Sequence, residues 1–484
     1  MPRLNLPAFI FTLVLVFAGL GVWTWFSARG PQGTLETAEC PVIAEVSRRP
    51  LGETDYSGQS VKEAANGFHD DFLFDRDGKF KIGAREEWGG AIVFFGAEGA
   101  NALDASEAGR GAHLAFHDDF RARQGCAYNE SCARKDTCPA GPEFAGWLAN
   151  QPGDKCGRPS GVLDAVVGAE LRFLFSPRLA NPAWSRKDCR PTADSCADPK
   201  LANNIAPLRI SQSIRFVRPG IAEVEVFITN LIDRDIITKN GELNELPVLF
   251  AANGKSGDRT MSALKNSTGE IVLTGNRTPA NYAGGWQEFP SPGGWAAYTT
   301  ADSLYGVGVY WESRPSSLRA EQIKGDYSRL TTRQAMILPA LETVRARYYL
   351  IVGSFAHLQE EAVALDKALP PFGRIDDNSV REDARTVHLN GWVLDNKQVT
   401  ALELWVDGKK SADLKLETQR DDVCATYPGY TMCSETHSRV GFDTTYARPN
   451  GTGCERPVEV RAQDSDGNWR VIARRSVSPV VLEN

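Results

Sequence analysis

Two glutamates, Glu288 and Glu245, occur where a carboxylate is suited to acid–base chemistry. Glu288 lies in an aromatic stretch with little charge nearby, GGWQEFPSPGGWAAYTTADSLYGVGVYW (284–311), and Glu245 directly precedes the apolar run LPVLF. Two carboxylates across a cleft cleave glycosidic bonds when they are about 5 Å apart, for retention, or about 6.5–9.5 Å apart, for inversion. We therefore predict both as catalytic candidates. The alternative is that each is a surface or salt-bridged carboxylate, since a sequence gives no distance between them.

The aromatic residues around Glu288 favour a carbohydrate ligand. A sugar ring has apolar C–H faces, which aromatic rings cover, and a rim of hydroxyls, which carboxylates, amides and arginine bind. We predict Trp286, Trp295 and Trp311 as substrate-binding residues on this basis. The alternative is that the alternate aromatic residues of this stretch simply face the core of a β-sandwich.

A second stretch, DASEAGRGAHLAFHDD (104–119), contains Arg110 and His113. Arg110 is suited to binding a hydroxyl or carboxylate of a substrate, and His113 to acting as a general base or hydrogen-bond donor. On a helix, His113 and His117 share one side that could face a metal ion, but the stretch GRGAHLAF looks more like a strand, on which they lie about 13 Å apart, too far for one metal ion. We predict no metal and no other cofactor. Asp154, in NQPGDK, is either a substrate-binding residue at the rim of a groove or an ordinary turn residue.

Several function classes lack their signatures. The sequence contains no G-x-S-x-G elbow, no H-E-x-x-H and no complete phosphate-binding loop, which argues against a common serine hydrolase, a zincin and an NTPase. Basic residues form no long run and the net charge is −7. We therefore expect no nucleic-acid partner.

Short extended runs with β-branched or aromatic members dominate residues 51–370, with turn residues between them. This pattern predicts a large β-rich domain, a sandwich or a barrel, with one clear helix at 358–369. Pro370-Pro371 then interrupts the chain. About seven short strands follow in residues 374–484, which suits an immunoglobulin-like (Ig-like) β-sandwich.

The ten cysteines cluster in loops rich in Gly, Pro and Asp, and six of them lie in residues 120–205. We read residues 120–205 as a cysteine-rich insertion over one face of the large domain. Zinc is the alternative to disulfides, but no C-x-x-C pair occurs. Disulfides indicate an oxidising compartment, and the short spacings favour Cys189–Cys196 and Cys424–Cys433 as pairs.

The N-terminal residues 1–29 contain an uncharged stretch between Arg3 and Arg29 that is long enough to cross a bilayer. Trp23 and Trp25 near its end suit the membrane interface. We predict an uncleaved transmembrane anchor, followed by a linker over 30–50; the alternative is a cleaved signal peptide. The main domain is then expected in the periplasm or the extracellular space.

Two stretches resemble known families. The run GWVLD…VTALELWVDGKK…RDDVCATYP…VGFD resembles a small Ig-like module appended to many bacterial secreted and envelope proteins, although Cys424 and Cys433 depart from its pattern. The segments GKFKIG…EWGGAIVFFGAEGANALDASEAGRG, NELPVLFA and WQEFPSPGGWAAYTTADSLYGVGVY resemble secreted proteins of the galactose-mutarotase-like supersandwich type. That resemblance implies a β-supersandwich and a carbohydrate ligand, and it transfers no catalytic residue.

Together these observations predict an exported carbohydrate-active protein that acts on or binds an envelope or extracellular polysaccharide. A glycoside hydrolase or a polysaccharide lyase is one form of this prediction. The alternative is a non-catalytic glycan-binding or scaffolding protein of the cell envelope.

Overall fold

Most of the short alternating runs fold into antiparallel strands. The structure, a computed structural model, describes residues 50, 53–65, 68–97, 99–106, 110–117, 147–149, 161–176, 178–179, 207–237, 245–253, 260–273, 286–315, 317–323, 327–332, 335–376, 381–382, 385–433, 438–447 and 455–477. The predicted mainly β fold is confirmed, with several sheets and two α-helices in the described residues.

A large sheet of twelve strands forms one layer, in the order β1-β2-β3-β4-β6-β14-β21-β20-β17, with β5, β7 and β10 beside this path. Its strands are β1 (Ser57–Ala65), β2 (Phe68–Asp75), β3 (Phe80–Arg85), β4 (Ala91–Ala97), β5 (Ala100–Asn101), β6 (Ala112–His117), β7 (Trp147–Ala149), β10 (Arg178–Leu179), β14 (Glu245–Ala251), β17 (Gln287–Pro290), β20 (Ser317–Ile323) and β21 (Tyr327–Thr331).

A nine-stranded sheet forms the second layer, in the order β16-β15-β18-β19-β23-β12-β11-β9-β8. Its strands are β8 (Gly161–Val167), β9 (Leu171–Ser176), β11 (Leu208–Arg218), β12 (Ile221–Asn230), β15 (Ala263–Asn266), β16 (Ile271–Leu273), β18 (Trp295–Thr299), β19 (Gly306–Trp311) and β23 (Thr343–Gly353). A two-stranded sheet pairs β13 (Ile236–Ile237) with β22 (Ile337–Leu338).

Residues 161–176, part of the predicted cysteine-rich insertion, differ from the prediction because they are strands of the nine-stranded sheet. They form β8 and β9, and Leu171, Phe173 and Phe175 of β9 are fully buried in the main core. Alternate apolar residues on one strand face place this hairpin in the sandwich itself rather than over it.

The main core lies between the two large sheets and includes Phe173, Phe216 and Tyr348. Tyr298 of β18 crosses this core, and its hydroxyl lies 3.2 Å from the backbone oxygens of both Glu321 and Arg329. Because a buried hydroxyl needs a partner, this contact fixes β20 and β21 of the large sheet against the nine-stranded sheet.

The predicted helix is confirmed as α1 (Phe355–Ala368). Ser354 caps its N-terminus by accepting a hydrogen bond from the backbone N–H of His357. Its apolar stripe of Leu358, Ala362 and Leu365 packs on the face of the nine-stranded sheet that points away from the main core. The nine-stranded sheet is therefore buried on both faces along this helix.

Residues 372–477 form two further four-stranded sheets with a core of their own, which we call the C-terminal sandwich. One sheet contains β24 (Phe372–Ile375), β25 (Arg381–Glu382), β26 (Thr386–Leu394) and β29 (Gly441–Ala447), and the other contains β27 (Val399–Val406), β28 (Lys409–Asp413), β30 (Arg456–Asp464) and β31 (Trp469–Val477). A short helix, α2 (Asp421–Thr426), lies between β28 and β29.

The predicted Cys424–Cys433 disulfide is confirmed, with a Cα–Cα distance of 5.1 Å. The other eight cysteines lie outside the described residues, and so does the predicted pair Cys189–Cys196. Residues 1–29, the predicted anchor, also lie outside them. Within the described residues, no helix has the length and apolar character needed to span a bilayer.

A network of buried charges covers the outer side of β12 and β23. Arg347 lies 2.9 Å from Glu225 and 3.6 Å from Glu223, and Arg345 lies 2.6 Å from Glu225. Burial acts to raise the pKa of Glu225, but Arg347 and Arg345 outweigh it and lower this pKa to about 2. Glu225 is therefore ionised in the folded state at any pH near neutrality.

Glu53, at the edge of this network, has a raised pKa, in contrast to Glu225. Burial, and then the charge of Glu223, raise its pKa from 4.5 to about 7. Below pH 4.5 both the folded and the unfolded state hold this proton. Between pH 4.5 and about 7 only the folded state does, so the free energy of unfolding falls as pH rises through this window.

We therefore expect Glu53→Gln to stabilise the protein at pH 8 and to leave its stability unchanged at pH 4. The shift of Glu53 from 4.5 to about 7 corresponds to a gain of at most about 3 kcal/mol. Urea denaturation at the two pH values measures this difference. Glu417→Gln, which neutralises an exposed carboxylate, is the matched control and is expected to change neither value. A gain at pH 4 as large as at pH 8 would contradict the assignment of Glu53.

Candidate functional site

The large sheet has one face toward the main core and an outer face that carries charged and aromatic side chains. Leu249, Leu330 and Ala320, on the neighbouring strands β14, β21 and β20, belong to the core. Their chain neighbours Phe250, Arg329 and Glu321 are directly paired across these strands. Because side chains alternate along a strand, this second row lies on the outer face.

Four residues at the β17 end of the outer face form what we call the Trp286 cluster: Trp286, Glu321, Tyr327 and Arg329. The Arg329 guanidinium lies 3.9 Å from the ring centre of Trp286 and 5.4 Å from that of Tyr327. Its Nε and Nη2 donate to one carboxylate oxygen of Glu321, at 2.7 and 2.5 Å. Glu321 is buried, whereas Trp286 and Tyr327 are half-buried and the Arg329 side chain is 27 % exposed. The cluster thus presents rings and a paired cation at the surface.

The outer face continues from the cluster to β6 through Phe250. The ring of Phe250 meets Tyr327 edge-on at 6.2 Å and stacks on His113 at 5.9 Å. His113 is 2 % exposed, and its Nδ1 has no hydrogen-bond partner within the described part of the chain. Burial, together with the charge of Arg329, lowers the pKa of His113 to about 3. The imidazole is therefore neutral at physiological pH.

Arg110 also lies near the ring of Tyr327. Its Nη1 donates to Asp104 at 2.6 Å, and its guanidinium lies 5.8 Å from the ring centre of Tyr327. Both Arg110 and Asp104 are buried. The structure thus brings the predicted residues Arg110, His113 and Trp286 to one face of one sheet. Arg110 and His113 are buried there, whereas Trp286 is half-buried.

The structure gives no support to Trp295 and Trp311 as substrate-binding residues, because each is only 3 % exposed. Trp295 packs at 5.7 Å against Phe355 of α1, and the indole N–H of Trp311 donates to the backbone oxygen of Leu246 at 2.7 Å. Tyr310 is fully buried beside them. Since the nine-stranded sheet is covered on both faces here, these rings fill cores and expose little surface, although Trp311 also lines a small pocket.

Glu288 and Glu245 lie on strands of the large sheet that are not neighbours. Glu288 is on the edge strand β17, with its side chain 57 % exposed and bonded to Ser317 and Arg319. Glu245 is buried on β14, three strands away in the same sheet. Three strand spacings amount to about 14 Å, which exceeds the separation that either glycosidase mechanism requires. The strand order therefore gives no support to a Glu245–Glu288 pair across a cleft, and their catalytic role stays a prediction.

Asp154, the remaining predicted binding residue, lies outside the described residues. Sequence reasoning missed Glu321, Tyr327 and Arg329. Their signal is the alternation of charged and apolar residues in SLRAEQI and YSRLT, which marks strands with one polar face. Across the ranges that the structure describes, no three His, Cys, Asp or Glu side chains are grouped as metal ligands.

Comparison with known proteins assigns no family. No protein-family model matches the chain, and no curated protein matches it. Similar solved structures include a galactose 1-epimerase from Lactobacillus acidophilus (10 % identity, 62 % of this chain and 99 % of that chain, TM-score 0.32). They also include a polysaccharide lyase (8 % identity, 83 % and 47 %, TM-score 0.31) and a heparan sulfate lyase from Pedobacter heparinus (8 % identity, 75 % and 43 %, TM-score 0.22). These neighbours are carbohydrate-active proteins, but similarity at this level identifies neither the family nor the activity of this chain.

Proposed function

We propose that this chain is a carbohydrate-active protein that binds a polysaccharide or oligosaccharide on the outer face of the large sheet. The observation that carries the proposal is the Trp286 cluster. Trp286 and Tyr327 offer aromatic surface for the apolar face of a sugar ring, and Arg329 and Arg319 offer N–H donors for its hydroxyls. Two half-buried rings joined by a paired arginine are preorganised, so binding orders few side chains.

The non-catalytic form of this function is the better supported of the two. A glycoside hydrolase needs two converging carboxylates, and the pair predicted for this chain lies on strands about 14 Å apart. A lyase needs a base near the bound sugar. His113 is neutral and its Nδ1 is unpaired among the described residues, which favours this second candidate, but its burial separates it from the surface.

The cellular location follows from the sequence as a further part of the proposal. We propose that residues 1–29 anchor the chain in a membrane and that the described residues lie in the periplasm or the extracellular space. The uncharged N-terminal stretch supports the anchor, and the Cys424–Cys433 disulfide supports an oxidising compartment. We also propose that residues 51–370 and 374–484 are separate domains and that the second is an Ig-like module. The separate core of the C-terminal sandwich supports this division.

Trp286→Ala tests the binding proposal. A glycan array first identifies the best ligand, and affinity electrophoresis then compares the variants on that ligand. We expect Trp286→Ala to weaken binding by about tenfold or more, because it removes a half-buried ring of the cluster and its contact with Arg329. Trp469→Ala is the matched control, since Trp469 is an exposed tryptophan of the C-terminal sandwich. Equal binding by both variants would refute the assignment of the site.

His113→Gln tests the catalytic form separately. If the protein is a lyase that uses His113 as its base, this variant is expected to lose product formation and keep its affinity for the polysaccharide. Product analysis by chromatography, run beside affinity electrophoresis, distinguishes these effects. If the wild-type protein binds the polysaccharide but releases no product, the non-catalytic form holds.

A further inference from the structure

A second cleft, with a volume of about 290 Å³, lies between the C-terminal sandwich and the segment that contains β22 and the start of β23. This volume is at the lower end of the range for small-molecule sites, which occur preferentially where two packed units meet. The cleft shares no residue with the Trp286 cluster. The cleft is therefore separate from that cluster.

The floor of this cleft is aromatic and apolar. Trp392 and Tyr427 lie with their ring centres 5.2 Å apart, and the buried side chains of Val344 and Val423 lie beside them. Trp392 is almost fully buried, whereas Tyr427 is half-buried. Such a floor is suited to the C–H face of a small ring.

The rim has the opposite character, because it is acidic. Asp235, Glu342 and Asp422 line the cleft and are exposed, and Arg374 is the only cation among the lining residues. Arg374 lies 3.3 Å from Glu342, so it balances one of these carboxylates. Asp422 is paired with Arg420, which lies 2.8 Å away and outside the lining. Asp235 accepts a hydrogen bond from the backbone N–H of Ala340 and is the rim carboxylate that neither Arg374 nor Arg420 balances. The rim therefore favours a positively charged group on the ligand.

We propose that this cleft binds a small ligand that carries a primary ammonium group beside the apolar face of a ring, of the hexosamine class. The aromatic floor receives the ring, and the ammonium group contacts the acidic rim and the face of Tyr427. This site is independent of the saccharide-binding face of the large sheet. The two can be tested separately.

The disulfide holds one wall of the cleft in place. Cys424 lies in α2, which supplies Asp422, Val423 and Thr426, and its bond to Cys433 closes the loop that follows. A six-residue helix is too short to be stable alone, so the cross-link and its packing maintain it. Reduction is therefore expected to weaken the second site and to leave the Trp286 cluster unaffected.

Isothermal titration of the full chain with glucosamine tests this proposal, with N-acetylglucosamine and n-butylamine as comparison ligands. We expect glucosamine to bind at least tenfold more tightly than N-acetylglucosamine, which has no positive charge, and more tightly than butylamine, which has no ring. High salt is expected to weaken glucosamine binding, because the rim is exposed to solvent. Asp235→Asn, which removes the rim carboxylate that neither Arg374 nor Arg420 balances, is expected to weaken it about fivefold.

Asp413→Asn is the matched control, since it neutralises an exposed carboxylate on β28 of the same sandwich, and it is expected to leave binding unchanged. Trp286→Ala is also expected to leave glucosamine binding unchanged, so failure of the saccharide-binding face and failure of this site are distinguishable. Binding of glucosamine and N-acetylglucosamine with equal affinity overturns the proposed recognition of the ammonium group by the rim. Binding of butylamine with the same affinity as glucosamine overturns the proposed contact of the ring with the aromatic floor. Absence of glucosamine binding to the folded chain overturns the whole proposal.

Discussion

Replacing Arg329 by methionine is expected to destabilise the protein by about 2–4 kcal/mol and to abolish the proposed polysaccharide binding. Arg329 donates to Glu321 at 2.7 and 2.5 Å, and the Glu321 side chain is only 5 % exposed. Methionine keeps the volume but removes the charge, which leaves a buried carboxylate without its partner. Urea denaturation measures the stability change, and affinity electrophoresis measures the binding.

The double variant Arg329→Met with Glu321→Gln separates the two effects. Neutralising Glu321 removes the unpaired charge, so we expect most of the lost stability to return. Binding is not expected to return, because Trp286 still lacks the guanidinium that lies 3.9 Å from its ring. Full recovery of binding in the double variant would show that Arg329 acts only through stability and would contradict its role in the site.

Replacing Arg347 by methionine is expected to have the largest effect on stability, a loss of about 3–5 kcal/mol. The Arg347 side chain is 2 % exposed and lies 2.9 Å from Glu225, 3.6 Å from Glu223 and 3.9 Å from Glu312. Without Arg347, Glu225 and Glu312 share the single guanidinium of Arg345, and Glu223 keeps only Arg215, 2.8 Å away, as its cation. Urea denaturation at neutral pH measures the loss.

An exposed ion pair provides the control for Arg347. Arg456 lies 3.1 Å from Asp407, and both side chains are substantially exposed. Exposed pairs contribute about 0–1 kcal/mol, so Arg456→Met is expected to have little effect. A loss below about 1 kcal/mol for Arg347→Met would mean that the charges around β23 relax without it.

The strands and the main helix could be predicted from the sequence because their periodicities are local. The run AEVEVFITNL became most of β12, and the helix predicted at 358–369 begins only three residues earlier, at Phe355. The Ser354 cap explains that earlier start, since a serine at this position satisfies a backbone N–H of the first turn. The Cys424–Cys433 disulfide was also predictable, because its loop is short.

The candidate site was harder to predict, because it depends on which face of a strand meets solvent. Trp295 and Trp311 are of the residue type that stacks on sugar rings, but α1 and the main core cover both faces of their sheet. Trp286 lies only nine residues before Trp295, yet it belongs to the outer face of the other sheet. Strand order across a sheet is non-local, so the sequence alone did not separate them.

The distance between Glu288 and Glu245 could not be predicted from the sequence for the same reason. Glu288 and Glu245 share a sheet, as a catalytic pair on one face requires, but β20 and β21 lie between their strands. Conversely, Glu321 and Arg329 were not singled out, although the β20–β21 hairpin brings them together. Cross-strand neighbours define this site, and they follow from register rather than from residue type.

Hydroxyl-radical footprinting with and without the polysaccharide tests the central claim most directly. The method reports the oxidation of each solvent-accessible tryptophan by mass spectrometry, and the chain contains the half-buried Trp286 on the proposed face and the exposed Trp469 far along the chain in β31. We predict that saturating polysaccharide protects Trp286 and leaves the oxidation of Trp469 unchanged. Unchanged oxidation of Trp286 in the presence of bound polysaccharide would contradict the account.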